Sequence, residues 1–243
     1  MKTFFKLLLL LAVTVYLAFA FVRLHRNQNQ SVCSGLEVTL TDTLHTGFIT
    51  KAEVEHLLHE AGLHPVGKHM DSVNALRIEQ FLQENPFVKE AVCYKMPDGK
   101  IGIILGQRRP VMRIMPPNGR SYYLDEDGYP LETLDYNADV VVATGNVDTT
   151  FLREKLLNLG LYLKQDRFWN DQIMQINVLP NREIDLVPRV GGNLIIHFGT
   201  ADSIARKFCN LKAFYEKVMP EVGWHTYREI SLKYADQIVC KKR

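Results

Sequence analysis

The sequence predicts an α+β protein in three parts: an N-terminal transmembrane helix, a β-α-α-β-β module, and a β-rich module with an antiparallel or mixed sheet and helices. Three observations predict it. Residues 7–22, LLLLLAVTVYLAFAFV, carry no charge. Between Leu36 and Gln107 strand patterns bracket two helical ones, and beyond Pro110 strand patterns recur with two helical stretches among them. At 243 residues, 47% hydrophobic and 23% charged, the composition is that of folded protein with room for two small domains. The formal charge of +2 is small and its Lys and Arg are scattered, so no nucleic acid is expected as a partner.

The uncharged run, extended by Phe4 and Phe5 past Lys6, meets the roughly 20 apolar residues that a bilayer core requires of a helix. It divides the start of the chain into a head at 1–6, a span at 7–24 and a polar tether at 25–34. Ala18-Phe19-Ala20 also fits the small-x-small pattern of a cleaved signal, and the length of the apolar run favours an uncleaved anchor. Lys2 and Lys6 before the uncharged run nearly balance Arg23 and Arg26 after it. A head this short holds no domain, so the bulk of the chain is expected outside the cytoplasm.

The first module, residues 35–108, opens with LEVTL, whose alternation is that of a half-buried strand. Thr50 and Glu53 form a capping box ahead of a helix with Val54, Leu57, Leu58 and Ala61 on one face, stopped by Gly62. A second helix is read from Asp71 to Gln83, with Val73, Leu76, Phe81 and Leu82 toward the core and Asn85-Pro86 as its stop. FVKEAVCYKM and KIGIILGQ flank Pro97-Asp98-Gly99 and are expected to pair as a hairpin.

The second module, residues 109–243, contains VMRIM, RSYYLD, DVVVATG, QIMQINVL, EIDLVPR and NLIIHFG as strands. Helices are expected near 149–164 and 202–218, and REISLKYADQIVCKKR as a closing strand or hairpin. Asp125-Glu126-Asp127-Gly128 invites a calcium-loop reading, but Tyr129 and Tyr136 stand where that loop needs oxygen ligands. A two-residue hairpin turn is the reading adopted.

Little here points to catalysis: there is no Gly-x-Ser-x-Gly, phosphate loop or His-Glu-x-x-His. No enzyme, cofactor or small-molecule substrate is expected. His56, His59, His64 and His69 with Glu55 and Glu60 are read as a solvated helix face in preference to a metal site. Cys33, Cys93, Cys209 and Cys240 include no C-x-x-C, which leaves free thiols and bridges with three possible pairings both open. Arg108-Arg109 is read as a solvated junction, with phosphate or an acidic lipid head as its other use.

The order of these parts, with NPFVKEAVCYKMPDGKIGIILGQRRPVMRI, YYLDEDGYPL and REISLKYADQIVCKK, resembles the FtsQ/DivIB bacterial cell-division proteins. The resemblance covers essentially the whole chain. It departs at Gln107, where the family usually has Glu, at Val141–Gly145, which lacks a Leu-Pro, and at Gln237, in the place of a Gly. It implies that residues 35–108 are a POTRA-like domain and 109–243 the β domain. It implies a non-catalytic bitopic scaffold of the divisome, in the cell inner membrane at the septum, with FtsB/FtsL-like proteins as partners.

By position in the family, partner binding falls to Lys233, Tyr234, Ala235, Asp236, Gln237 and Ile238. EISLKYADQIV is expected at a sheet edge, where an extended partner segment adds as a further strand. Tyr234 is the expected anchor, and Lys233 offers charge to an acidic partner. A POTRA-type chaperone or assembly factor for envelope polypeptides is the alternative, because it too binds by strand addition.

Overall fold

A computed structural model of the chain describes all residues except 1, 30–31, 42–48, 118, 133–137 and 236, and the side chains of all but these and 2–5, 7 and 22–29. The chain divides into two compact units, Met1–Arg108 and Arg109–Arg243.

Unit 1 begins with α1 (Lys2–Asn29). The predicted span at 7–24 lies partly outside the described side chains; among the described residues no helix is long and apolar enough to cross a membrane. The first residues of the predicted tether continue α1. Its last ones belong to the folded module: Val32 bridges His69, and buried Cys33 exchanges backbone bonds with the Gly67–Lys68 turn.

The rest of unit 1 is β1 (Gly35–Leu40), α2 (Lys51–Glu60), α3 (Ala75–Gln83), β2 (Val88–Lys95) and β3 (Lys100–Gln107). The sheet order is β1-β3-β2, with β1 parallel and β2 antiparallel to the central strand. The Thr50–Glu53 capping box forms in full, and Val54 and Leu58 one turn apart enter the core while Ala61 stays exposed. The second helix starts later than its composition suggests. Asn74, not Asp71, accepts from the Arg77 N–H and sets the first turn. Ile78 and Leu82, four apart, share the buried face, and Leu76, two residues before Ile78, points out at 60% exposure. On the opposite face of the sheet Tyr94 lies over Gly102, where a Cβ would come within 2.5 Å of the ring.

Unit 2 is built on β4 (Pro110–Met115), β5 (Tyr122–Asp125), β6 (Pro130–Glu132), β7 (Val141–Gly145), β8 (Ile173–Val178), β9 (Ile184–Pro188), β10 (Ile195–Gly199), β11 (Tyr227–Ser231) and β12 (Val239–Lys242). They form one mixed sheet in the order β12-β11-β10-β9-β8-β7-β4-β5-β6. β4 with β7, β7 with β8 and β10 with β11 are parallel, and the other neighbours antiparallel.

Between β7 and β8 run α4 (Thr149–Phe151), a π-helical turn (Leu152–Leu156), α5 (Leu157–Gln165) and α6 (Arg167–Gln172). Before β11 come α7 (Ile204–Lys217) and α8 (Met219–Val222). α6 was not legible as a helix, though its signal is present: Asp166 accepts from the Phe168 and Trp169 amides and caps it, which buries Trp169. Gly160 lets α5 press onto the sheet, since a Cβ there would collide with the Met112 methyl.

The β5–β6 hairpin turns through one residue more than the two expected. Its connection is three residues, 126–128, because Asp125 N–H bonds the Tyr129 carbonyl and Gly128 N–H the Asp125 carbonyl. Gly128 takes φ 76°, the left-handed position of such a loop. Asp125 Oδ1 accepts from the Asp127 and Tyr129 amides, so the acidic run is structured by its own backbone.

Candidate functional site

The site is the β12 end of the nine-stranded sheet, and packing under β10 positions it. Phe198 of β10 meets Phe208 of α7, which in turn stacks on Tyr162 at 5.1 Å and touches Trp169 at 4.8 Å. Lys207 is buried among these aromatics and donates to the Phe198 and Thr200 carbonyls, at 2.9 and 2.6 Å, where the strand hands over to the helix. Desolvation holds its ammonium below the usual lysine range. The α7 crossover then returns the chain so that β11 lies parallel to β10.

Among the described residues β11 has neighbours on both flanks, and β12 has one. The expected edge strand EISLKYADQIV is therefore three pieces: the inner strand β11, a connection at 232–238, and the edge strand β12. Leu232 still points into the core and its N–H completes the β10–β11 ladder at the His197 carbonyl, and the chain departs at Lys233, which is drawn to Glu183. On the outward face charges alternate across the strands. His197 Nδ1 is 2.7 Å from Asp185, His197 Nε2 3.7 Å from Glu229, and Glu229 3.4 Å from the Lys241 ammonium on β12. Burial acts to raise the Glu229 carboxyl, and Lys241, Arg228 and His197 together hold it below its usual range.

Residues 109–241, more than half of the chain, match the family model described as FtsQ/DivIB, C-terminal related, and residues 31–105 match a POTRA-like domain. The chain belongs to the FtsQ/DivIB family. No curated protein matches it. Membership marks this FtsQ/DivIB chain as a cell-division scaffold, and the family is typically non-catalytic.

In this FtsQ/DivIB chain the residues named from the sequence fall in the 232–238 connection. The Lys233 ammonium is 2.6 Å from Glu183, and its stem packs against Gly199. Tyr234 is 55% exposed, the Ala235 carbonyl accepts from Asn210, and Ile238 packs on the core. Gln237 is exposed, and Asp236 lies outside the described residues. Missing from the named set is β12 itself, Val239–Lys242, with Val239 46% exposed. Its signal in the sequence was only the alternation of IVCKK.

The remaining candidates are elsewhere. Arg108 gives its N–H to Phe87 within unit 1, while in unit 2 the Arg109 guanidinium and the Lys164 ammonium share Glu126 at 3.8 and 3.1 Å. His56 pairs with Glu60 at 3.5 Å, and the His59 and His64 rings lie 5.7 Å apart. Among the described residues no group of three or more His, Cys, Asp or Glu is arranged to hold a metal. All four cysteines are free thiols, with Cys33 and Cys93 buried and Cys209 exposed.

Proposed function

We propose that this chain is a single-pass scaffold of the bacterial division machinery that binds an FtsB/FtsL-like partner by strand addition to β12, at the inner membrane of the septum. The observation that carries the reading is the sheet order, in which, among the described residues, β12 has a neighbour on one side only. An incoming extended segment gains a ladder of main-chain hydrogen bonds there. The 233–238 connection flanks this edge, and exposed Tyr234 supplies an aromatic anchor beside it. Lys233 serves to hold the connection through Glu183 more than to offer charge.

Anchoring rests on α1. Leu8 to Leu11, Val13, Val15, Leu17, Phe19 and Phe21 all stand exposed on one uninterrupted helix, an apolar surface on every side that calls for lipid.

Tyr234→Ala is expected to weaken capture of the partner by about 2 kcal/mol, or some thirtyfold, with the far-ultraviolet spectrum unchanged. Photo-crosslinking from position 234 in cells names the neighbour. Undiminished capture by the Ala variant, with no septal partner in the crosslinks, removes the reading. A uniform envelope signal in place of septal enrichment favours the assembly-factor alternative.

A further inference from the structure

A strand at the end of a sheet leaves every second N–H and C=O without a ladder partner, and proteins protect such flanks. The nine-stranded sheet blunts one end with β6, which is three residues long and begins with Pro130. In unit 1 the end strand β2 is eight residues long and carries exposed Val92 and Tyr94, the features of a strand that recruits another.

Its free flank is occupied. The Cys93 N–H donates to the Glu79 carboxylate at 3.2 Å, and the Ala91 carbonyl accepts from the Gln83 amide at 3.2 Å. Glu79 and Gln83 are four apart on α3, so they project from one face of the helix a single turn from each other. Residues 91 and 93 are two apart on β2, so their backbone groups face the same flank. Val92 and Tyr94, opposite Ile104 and Gly102, have their N–H and C=O directed to β3. The helix thus offers β2 an acceptor and a donor where a further strand would offer a carbonyl and an amide.

We infer that Glu79 and Gln83 form a side-chain clip that closes the β2 edge of unit 1 to strand addition. The inference concerns unit 1 alone and stands whether or not β12 receives a partner.

The strand first excluded is β2 of a second copy. About a two-fold axis through Val92 the Cys93 N–H of each copy meets the Ala91 carbonyl of the other, so the flank is self-complementary once the clip is gone. In that register Lys89 faces Lys95, so the pairing strengthens as salt screens the repulsion.

The test compares the full chain in detergent with its Glu79→Ala/Gln83→Ala and Glu79→Gln variants. In the double variant, held dilute and at low salt so that it stays monomeric, the Cys93 amide is expected to exchange about tenfold faster while Val92 and Tyr94 keep their protection. Sedimentation velocity is expected to show concentration-dependent association that rises with salt. Glu79→Gln retains a carbonyl acceptor and is expected to behave as the unmodified chain. Should the double variant also lose protection at Val92 and Tyr94, Glu79→Ala alone carries the same comparison. Unchanged exchange at Cys93 overturns the clip, and faster exchange without association overturns its role in keeping the edge closed.

Discussion

Single side chains in this molecule are read best through the backbone groups they serve. Gln107, which departs from the family's usual Glu, is buried and pairs reciprocally with Ile49: its amide nitrogen donates to the Ile49 carbonyl at 3.0 Å and its oxygen accepts from the Ile49 N–H at 3.1 Å. A carboxylate could satisfy only the second bond, so Gln is the residue that this geometry wants. The cysteines divide by environment in the same way. Burial, and then the Glu79 charge, push the Cys93 thiol up to about 11, and burial also raises Cys240. Thiolate is the reactive form, so at pH 8 iodoacetamide is expected to modify exposed Cys209 first and Cys93 last. Peptide mass spectrometry over a time course checks this, and rapid labelling of Cys93 in the folded protein contradicts it.

Elements were legible where a local signal was complete. The Thr50–Glu53 box and the Pro97-Asp98-Gly99 turn act within a few residues of themselves, and both form as the sequence indicates. The start of α3 was not legible, because Asp71 and Asn74 are both acceptable caps and only the packing of Val73 and Ile78 decides between them. The 232–238 connection was missed for a related reason. Strand-like residues continue through it, but the ladder to β10 ends at the Leu232 N–H, and Lys233 is drawn to Glu183 in the turn before β9.

That ion pair makes the connection sensitive to acid. The Lys233 hydrogen bond, with help from Asn181, holds the Glu183 carboxyl below its usual range. A folded-state pKa below the unfolded one stabilises above the ordinary glutamate value and ceases to do so as pH falls through the lowered value. Hydrogen exchange of residues 232–238, corrected for the intrinsic pH dependence, is therefore expected to quicken as Glu183 is protonated. Glu183→Gln is expected to produce the same loosening at neutral pH, and an unchanged 232–238 segment in that variant rules out the tether.

At the scale of the whole molecule the described residues form two hydrophobic cores. One gathers Val38, Leu58, Ile78, Leu82 and Ile103 of unit 1, and the other Trp169, Phe198, Phe208, Leu211 and Ile230 of unit 2. A core of its own lets each unit unfold by itself. Leu58→Ala removes a fully buried side chain and is expected to cost unit 1 about 2–5 kcal/mol. Calorimetry should then show one transition displaced downward and a second left in place, whereas a single transition moving as a whole would mean that the units fold as one.

The α+β class, the two-module order and nearly every strand are written locally along the chain, because hydrophobic period and turn chemistry survive without knowledge of neighbours. The chain carries the family likeness for the same reason, since that likeness is an order of local motifs. Only the tertiary structure decided which strands end each sheet. β11 and β12 follow one another along the chain, yet one is interior and the other an edge, and β2 is an edge with its flank held by Glu79 and Gln83. Strand adjacency is set by long-range pairing and by helices that return to the sheet, so no window along the chain contains it.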